Sequence, residues 1–299
     1  FIDEFQEFFK VNKSVYSDMQ RIWDMYHTKA HINLIVCGSI FSMMTKIFKD
    51  KKEPLYNRQT RFMSIKPFTP AVLKEIMAEY NPNYTSEDLL ALYSFTGGVA
   101  KYVQLLVDAG ATTKTKMLNH IIKADSVFLG EGKAILIEEF GKDYGVYFSI
   151  LSAIARGKTL RSEIEQIVGR EIGGYLTKLE KEYEVITKNQ PIFEKSSTKN
   201  VRYTIEDNFF TFWFRFIYKY NYMLEIENYD AVKTIINRDY ETFSGKMLER
   251  YFKRVLMESK AYTRIGSWWD RKGENEIDIV AENELNDEAV FIEVKRKED

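Results

Sequence analysis

Two alternating runs near the carboxyl end constrain the fold of this chain more than any other feature. Residues 276–283 and 288–295 each alternate charged or polar side chains with apolar ones, and a short polar segment separates them. Such a pattern predicts a β-hairpin. With the turn centred on the polar segment, Asp278 faces Glu293 on one face of the hairpin.

The facing carboxylates of this hairpin need a partner, because like charges directly opposite each other destabilise a strand pair. A divalent cation between Asp278 and Glu293 would remove the repulsion, since hard cations prefer carboxylate oxygens. Lys295, on the same face, would then orient a water or stabilise negative charge. The alternative is a solvated strand face on which Glu276 and Lys295 form an ion pair. The spacing alone leaves both interpretations open.

Residues 145–206 carry three helical patterns followed by two short alternating runs, which is the order of a winged helix-turn-helix. In that fold the third helix commonly enters the major groove of DNA and the wing touches the backbone. The third helix here has mixed charge, which is poor for phosphate contact. Basic residues surround the predicted wing instead: Lys188, Lys195, Lys199 and Arg202. DNA binding and a protein-interaction or spacer role both remain open.

The next segment, 207–240, is dense in aromatic residues, above all between Phe209 and Tyr222. Exposed aromatic side chains can stack on nucleic-acid bases. This density suits core packing between domains much better. We therefore expect a buried helix that links 145–206 to the last unit, 241–299.

Strand and helix patterns alternate at the start of the chain. Phe1-Ile2 is the end of a strand, Ser17 to Tyr26 is a helix, and His31 to Cys37 is an apolar strand. Apolar strands separated by helices are typical of a parallel sheet that is buried on both faces. From Pro70 to about Phe140 the pattern is helical, with a break at Gly97-Gly98.

These segments resemble archaeal-type AAA+/STAND ATPases that carry a C-terminal nuclease-like domain. Phe1-Ile2-Asp3-Glu4 resembles the end of a Walker B strand, and Ser39 resembles the polar sensor after the next strand. The resemblance implies that Asp3 assists Mg²⁺ bound to ATP and that Glu4 polarises the attacking water. It also implies that Arg58 reaches a γ-phosphate, although Asn57 stands where the group usually has Gly.

Near the other end, Asp278 and Glu293-Val-Lys295 resemble the core hairpin of the PD-(D/E)XK nuclease-like superfamily. Glu249 lies where this superfamily often adds a glutamate, and residues 268–273 resemble the same ATPase group. The resemblance implies Mg²⁺-dependent phosphodiester cleavage. Asp278 and Glu293 would be metal ligands, and Glu249 and Lys295 would be further catalytic residues. The superfamily usually continues beyond this point, so we expect the last domain to be incomplete.

The resemblance covers nearly the whole chain in the right order, and it predicts a multidomain α/β plus α protein. The predicted parts are the C-terminal part of a P-loop ATPase core with a parallel sheet (1–67), a helical lid (68–140), a winged helix (145–206), an aromatic helical linker (207–240) and a nuclease-like α/β domain (241–299).

The loop that cradles nucleotide phosphates is missing, because no G-x-x-x-x-G-K-S/T occurs in the 299 residues. In a full-length relative it would lie upstream of Phe1, so we expect this chain alone not to hydrolyse ATP. One hypothesis is an ATP- and Mg²⁺-dependent ATPase linked to a DNA-directed nuclease-like domain. The other is a nucleotide-switched regulatory or scaffolding protein whose nuclease-like fold is inactive. DNA, a protein partner and a second copy of the chain are the candidate partners.

Composition limits the remaining classes. Lys and Arg number 43 against 44 Asp and Glu, which excludes a generally basic nucleic-acid coat. The single cysteine, Cys37, cannot form an internal disulfide, and it lies in an apolar run where we expect it to be buried and inert. No apolar run is long enough to span a bilayer, and the first residues do not form a signal peptide. We expect a cytoplasmic protein without a membrane partner.

Overall fold

The structure, a computed structural model, describes residues 1–195 and 199–296. The centre of the predicted wing (196–198) and the end of the predicted nuclease-like domain (297–299) lie outside the described residues. The chain is rich in helices and has two small antiparallel sheets. Within the described ranges no helix is both long enough and apolar enough to cross a membrane.

The first part of the chain contains three helices, α1 (Phe8–Val11), α2 (Val15–Tyr26) and α3 (Phe41–Lys49), after a short 3₁₀ turn at Phe5–Glu7. The predicted helix that ends at Tyr26 is therefore confirmed. These elements enclose a small core of their own, formed by Phe5, Tyr16, Met44, Ile47, Phe48 and Leu55. Because this core is separate from the main one, the elements that enclose it form a unit with its own core.

The two predicted strand segments of this unit lie side by side. Ile2 and Val36 form a single parallel bridge. The Ile2 N–H donates to the Ile35 carbonyl, and the Cys37 N–H donates to the Ile2 carbonyl, both at 2.9 Å. This pairing brings Asp3 and Glu4 next to the residues that follow Val36.

The apolar segment before Val36 differs from the expectation of a strand buried on both faces. Ile32 is 71% exposed, and Leu34 and Ile35 are 39% and 46% exposed. Parallel strands are buried only where neighbouring strands and crossover helices cover them. No described element covers these three side chains, so the segment is extended and exposed. Among the described residues, the Ile2–Val36 bridge is its one pairing with another strand segment.

The predicted lid is helical, as expected. It contains α4 (Pro70–Tyr80), α5 (Ser86–Thr96), α6 (Ala100–Asp108), α7 (Lys114–Ile121) and α8 (Val127–Phe140). Thr85 and Asp88 form a capping box at the start of α5, which satisfies two of its first N–H groups. The predicted break at Gly97-Gly98 is confirmed: α5 ends at Gly97, whose φ of 61° favours glycine.

Three helices and one strand pair follow in the predicted order. They are α9 (Tyr144–Ala155), α10 (Arg161–Val168), α11 (Gly173–Lys181), β1 (Ile186–Asn189) and β2 (Arg202–Ile205). β1 and β2 pair antiparallel, with Ile186 opposite Ile205. Leu176 and Leu179 of α11 are buried against the main core, which fixes this helix to the rest of the group.

The aromatic segment is a core element. It forms α12 (Asn208–Phe212), a π-helical turn (Trp213–Tyr218) and α13 (Asn221–Glu225), and then α14 (Tyr229–Ser259). Phe209, Phe212, Phe214 and Phe216 are all 0–1% exposed. They pack in one continuous core that runs from α4 to α14. The predicted boundary between 240 and 241 lies inside α14, so one helix joins the aromatic segment to the last unit.

The last unit is a three-stranded antiparallel sheet of β3 (Arg264–Trp269), β4 (Glu276–Asn283) and β5 (Glu288–Ile292), with β4 in the centre. Ile279 lies opposite Ile292. This is the register predicted for the hairpin, because the same register continued by one residue places Asp278 opposite Glu293. α14 packs against β3 and β4.

Candidate functional site

The parallel pairing of Ile2 with Val36 gathers a group of polar side chains at the start of the chain. The Ser39 hydroxyl donates to Oε2 of Glu4 at 2.9 Å. Glu4 has a φ of 47° and a ψ of 45°, a left-handed conformation that residues other than glycine seldom adopt. The chain thus turns sharply after Asp3, and the structure brings together three of the residues predicted for a nucleotide site: Asp3, Glu4 and Ser39.

The Asp3 carboxylate is held by two donors. Its Oδ1 accepts the Glu4 N–H at 2.9 Å and the Cys37 thiol at 2.7 Å. The thiol bond, and then the backbone bond, lower the pKa of Asp3, while the same thiol bond raises the pKa of Cys37. Cys37 is partly exposed rather than buried as predicted. Its protonated thiol is a poor nucleophile, which fits the expectation that it is inert.

Gln6 is a member of this group that sequence reasoning did not find. It is 1% exposed, and its amide donates to Glu4 and to the Ser39 hydroxyl. Its Oε1 has no hydrogen-bond partner among the described residues. Gly38 lies against this amide, and a Cβ at position 38 would collide with it. A single glutamine after an Asp-Glu pair gives no pattern that would predict this role.

Arg58 lies in a different environment. Its guanidinium donates to both carboxylate oxygens of Asp24, at 2.9 and 2.8 Å, and to the carbonyls of Pro54 and Tyr56. The bond to Asp24 is the main reason that the pKa of Arg58 is raised. The hydrogen bonds of Arg58 thus go to Asp24 and to backbone carbonyls, not to the group around Glu4.

An open cavity of about 430 Å³ lies beside this ion pair. It is lined by Trp23, Asp24, His27, Tyr56, Asn57, Arg58, Gln59 and Thr60. Asn57 has a φ of 57°, a conformation that asparagine tolerates better than most residues. Asn57 thus adopts a positive φ, the kind of backbone conformation that also suits the Gly usual at this position.

The residues around Glu4 fit a magnesium–nucleotide complex in their chemistry. Mg²⁺ in nucleotide sites is usually held by one or two carboxylates together with phosphate oxygens and water. Asp3 Oδ2 accepts no hydrogen bond from the described part of the chain. Residues 1–195 and 199–296 contain no group of three or more His, Cys, Asp or Glu that could hold a metal by itself. A Mg²⁺ ion here would depend on the nucleotide for most of its ligands.

Two carboxylates of the last unit, Asp278 and Glu276, have partners within the protein. Asp278 Oδ2 accepts the Val294 N–H at 2.8 Å, just beyond the end of β5. Glu276 forms an ion pair with Arg202 at 2.9 Å, and not with Lys295 as the alternative interpretation expected. Glu293 and Lys295 are exposed and make no hydrogen bond or ion pair with other described residues. The observed pairs of β4 with β5 begin at Ile279 and Ile292, so Glu293 lies just beyond the paired residues, next to the Val294 that binds Asp278.

Glu249 lies on α14, facing the same strand. Burial raises the pKa of Glu249, its ion pair with Lys246 at 2.9 Å lowers it, and the charges of Asp278 and Glu276 raise it further. The structure thus brings Glu249, Asp278 and Glu276 within electrostatic reach of each other. Lys246 also interacts with all three, and sequence reasoning did not predict it.

The predicted wing is docked on this sheet. The Arg202 guanidinium lies 4.5 Å from the centre of the Trp269 ring, and Trp269 Nε1 donates to the Asn200 side chain at 2.9 Å. The Ile192 N–H donates to the Ser267 carbonyl at 2.8 Å. Arg202, one of the basic residues predicted to touch a DNA backbone, is held within the protein.

Comparison with known proteins gives a family but not an activity. Residues 213–299 match the DUF234 family model, described as archaea bacterial proteins of unknown function. The chain is 33% identical over 312 residues to the uncharacterized protein MJECL04 of Methanocaldococcus jannaschii, and the match covers 99% of this chain and 67% of that protein. The chain belongs to the same family as the Methanocaldococcus jannaschii protein.

A solved structure resembles part of the chain. It is the Walker-type ATPase PABY2304 of Pyrococcus abyssi, with 19% sequence identity and a TM-score of 0.48. The match covers 71% of this chain and 61% of that chain, so this chain spans less than two thirds of its length.

Proposed function

We propose that the protein is a Mg²⁺-dependent ATPase in which Asp3, Glu4 and Ser39 form the metal and water side of the nucleotide site. The observation that carries this proposal is the 2.9 Å hydrogen bond from Ser39 to Glu4, made at the ends of two segments that pair in parallel. Ligands of α/β proteins bind outside the carboxyl ends of parallel strands. Asp3, Glu4 and Ser39 all lie at those ends.

Each residue has a separate task in this proposal. When bound, Mg²⁺ would neutralise charge on the phosphate oxygens of ATP. Asp3 offers its free Oδ2 toward the metal, while Cys37 and the Glu4 N–H fix the orientation of its other oxygen. Glu4 holds the attacking water and accepts its proton. Ser39 and Gln6 hold the Glu4 carboxylate in place until the water is bound.

The test of this proposal is ATP hydrolysis by the protein as its natural gene encodes it, since no phosphate-binding loop motif occurs in the 299 residues. Glu4→Gln keeps the size of the side chain but removes the base. Loss of a general base typically slows a reaction by about 10²–10⁴-fold, so we expect kcat to fall by at least about 100-fold while ATP still binds.

Glu7→Gln is the matched control, because Glu7 lies one turn away and pairs with Lys10 instead. Its kcat should equal that of the natural protein. Undiminished hydrolysis by the Glu4→Gln variant would show that Glu4 is not the base and would overturn the proposal.

A second candidate function is phosphodiester cleavage of DNA at the last unit. Two observations favour it: the β4–β5 register, which would set Asp278 opposite Glu293 if it continued by one residue, and the raised pKa of Glu249. One observation weighs against it. Lys246 and Arg202 already place positive charges beside Glu249 and Glu276, which leaves less need for a metal ion.

This candidate is tested on the protein as its natural gene encodes it, with plasmid DNA and Mg²⁺ or Mn²⁺. Asp278→Asn should abolish cleavage, and Asp287→Asn, a change in the exposed β4–β5 turn, should not. Lys188, Lys195 and Lys199 of the wing would supply phosphate contacts. Absence of cleavage by the natural protein with both metals would remove the nuclease candidate and leave the ATPase proposal unaffected.

A further inference from the structure

The start of α3 is capped by a residue from a distant part of the chain. Glu139, at the end of α8, accepts the Phe41 N–H at 2.6 Å and the Ser42 hydroxyl at 2.6 Å. Residue 40, the position that would normally cap this helix, is an isoleucine and has no side-chain acceptor. A carboxylate at a helix start satisfies a free N–H group and also interacts favourably with the helix dipole.

This contact joins two parts of the molecule that have separate cores. α3 belongs to the small core of residues 1–66, through Met44, Ile47 and Phe48. α8 is fixed in the main core, where Phe128, Leu136 and Phe140 are at most 5% exposed. A shift of one core relative to the other must therefore move or break the bonds from Glu139 to α3.

Two carboxylates hold the same four-residue segment from opposite ends. Glu4 accepts the Ser39 hydroxyl, and Glu139 accepts the Phe41 N–H and the Ser42 hydroxyl. Ser39 and Phe41 are separated by a single residue. The position of the Glu4 carboxylate and the position of α8 are thus linked through residues 39–42.

We propose that Glu139 is a positioning residue that couples the state of the Glu4–Ser39 pair to the helical body of the protein. This inference rests on the proposed ATPase function, because it assigns a regulatory contact to the same site. When Glu4 turns to a bound water, Ser39 loses this acceptor, and residues 39–42 can shift while Glu139 still holds their other end. Glu139 transmits that shift to α8. In the other direction, α8 holds Ser39 where it can orient Glu4.

The test compares ATP hydrolysis by Glu139→Ala and Glu139→Gln variants of the natural full-length protein. Glu138→Gln is the matched control, because Glu138 is the exposed neighbour on the same helix. Residues that carry coupling between sites change it by about 0.5–2 kcal/mol, which corresponds to roughly two- to thirty-fold. We expect Glu139→Ala to change kcat at least about threefold and to leave KM for ATP within about twofold.

Glu139→Gln keeps an acceptor for the Phe41 N–H and should restore most of the activity. A second readout separates coupling from a purely structural role. In the natural protein, Mg²⁺ and ATP should change hydrogen exchange in the last turn of α8, and Glu139→Ala should abolish that nucleotide-dependent change.

The outcomes are distinguishable. If the natural protein hydrolyses ATP, Glu4→Gln stops hydrolysis and Glu139→Ala matches the natural protein in kcat and in exchange, the coupling is refuted and the ATPase function stands. If the natural protein does not hydrolyse ATP, or Glu4→Gln has no effect, the ATPase function fails and the coupling fails with it.

Discussion

Two glycines on α8 should respond to the same substitution with opposite signs. Gly130 is exposed, and a Cβ added there meets nothing within 4 Å among the described residues. Gly132, two residues later, is buried, and an added Cβ would come within 2.8 Å of three atoms of the Trp213 ring. The difference follows from the packing of the aromatic segment on α8.

The magnitudes can be worked from this geometry. Alanine is favoured over glycine inside a helix by about 0.5–1 kcal/mol, so Gly130→Ala should raise the free energy of unfolding by that amount. Gly132→Ala makes the same gain but displaces Trp213, which is 2% exposed and donates to the Leu129 carbonyl at 3.0 Å. Overpacking costs about 1–3 kcal/mol and a lost hydrogen bond about 1 kcal/mol. The free energy of unfolding of Gly132→Ala should therefore fall by about 1–3 kcal/mol.

Urea unfolding of the 299-residue chain, followed by circular dichroism, measures both variants under the same conditions. The expected result is a higher midpoint for Gly130→Ala and a lower midpoint for Gly132→Ala than for the unmodified chain. Equal shifts in the two variants would refute the packing of Trp213 against α8. A stabilised Gly132→Ala would refute it too.

Two further predictions concern stability and docking. Burial disfavours the charged form of Asp207 and raises the pKa of its carboxyl to about 6. A raised carboxyl pKa favours the folded state at low pH, and that contribution to stability is lost as the pH rises through about 6. Asp207→Asn keeps a side-chain cap on α12 but has no titrating group. Between about pH 4 and 8, its free energy of unfolding in urea should therefore rise by roughly 1–3 kcal/mol relative to that of the unmodified chain. If the free energies of unfolding of the two proteins changed in parallel with pH, this prediction would be contradicted. Arg202→Gln removes the ion pair with Glu276 and the contact with the Trp269 ring, which together contribute about 1 kcal/mol. This variant should speed hydrogen exchange in β3, whereas Lys188→Gln should not. Equal exchange rates in the two variants would contradict the docking of the wing on the sheet.

Local patterns in the sequence predicted much of the fold. The β4–β5 register followed from a period of two and a polar turn, because a shift by one residue would move every side chain to the other face. The buried role of Phe209 to Phe216 followed from their density. Asn57 departs from the Gly that the ATPase group usually has before Arg58, and it adopts a positive φ, which asparagine tolerates better than most residues.

Contacts between distant segments could not be predicted in this way. Glu276 pairs with Arg202, 74 positions away in sequence, and Glu139 caps α3 from 98 positions away. No periodicity encodes such pairs, because they depend on how whole elements pack. The exposure of Ile32 has a similar cause, since an apolar run predicts a buried strand whether or not a neighbouring element covers it.

In the proposed nucleotide site, Ser39 acts on ATP hydrolysis through Glu4. A double-mutant cycle of kcat in the natural full-length protein tests it directly, with Ser39→Ala, Glu4→Gln and the double variant. We expect Ser39→Ala to lower kcat when Glu4 is present and to have no further effect when Glu4 is replaced. If instead the fall in kcat of the double variant equals the product of the two single falls, or if Glu4→Gln leaves kcat unchanged, the proposed roles of Ser39 and Glu4 are contradicted.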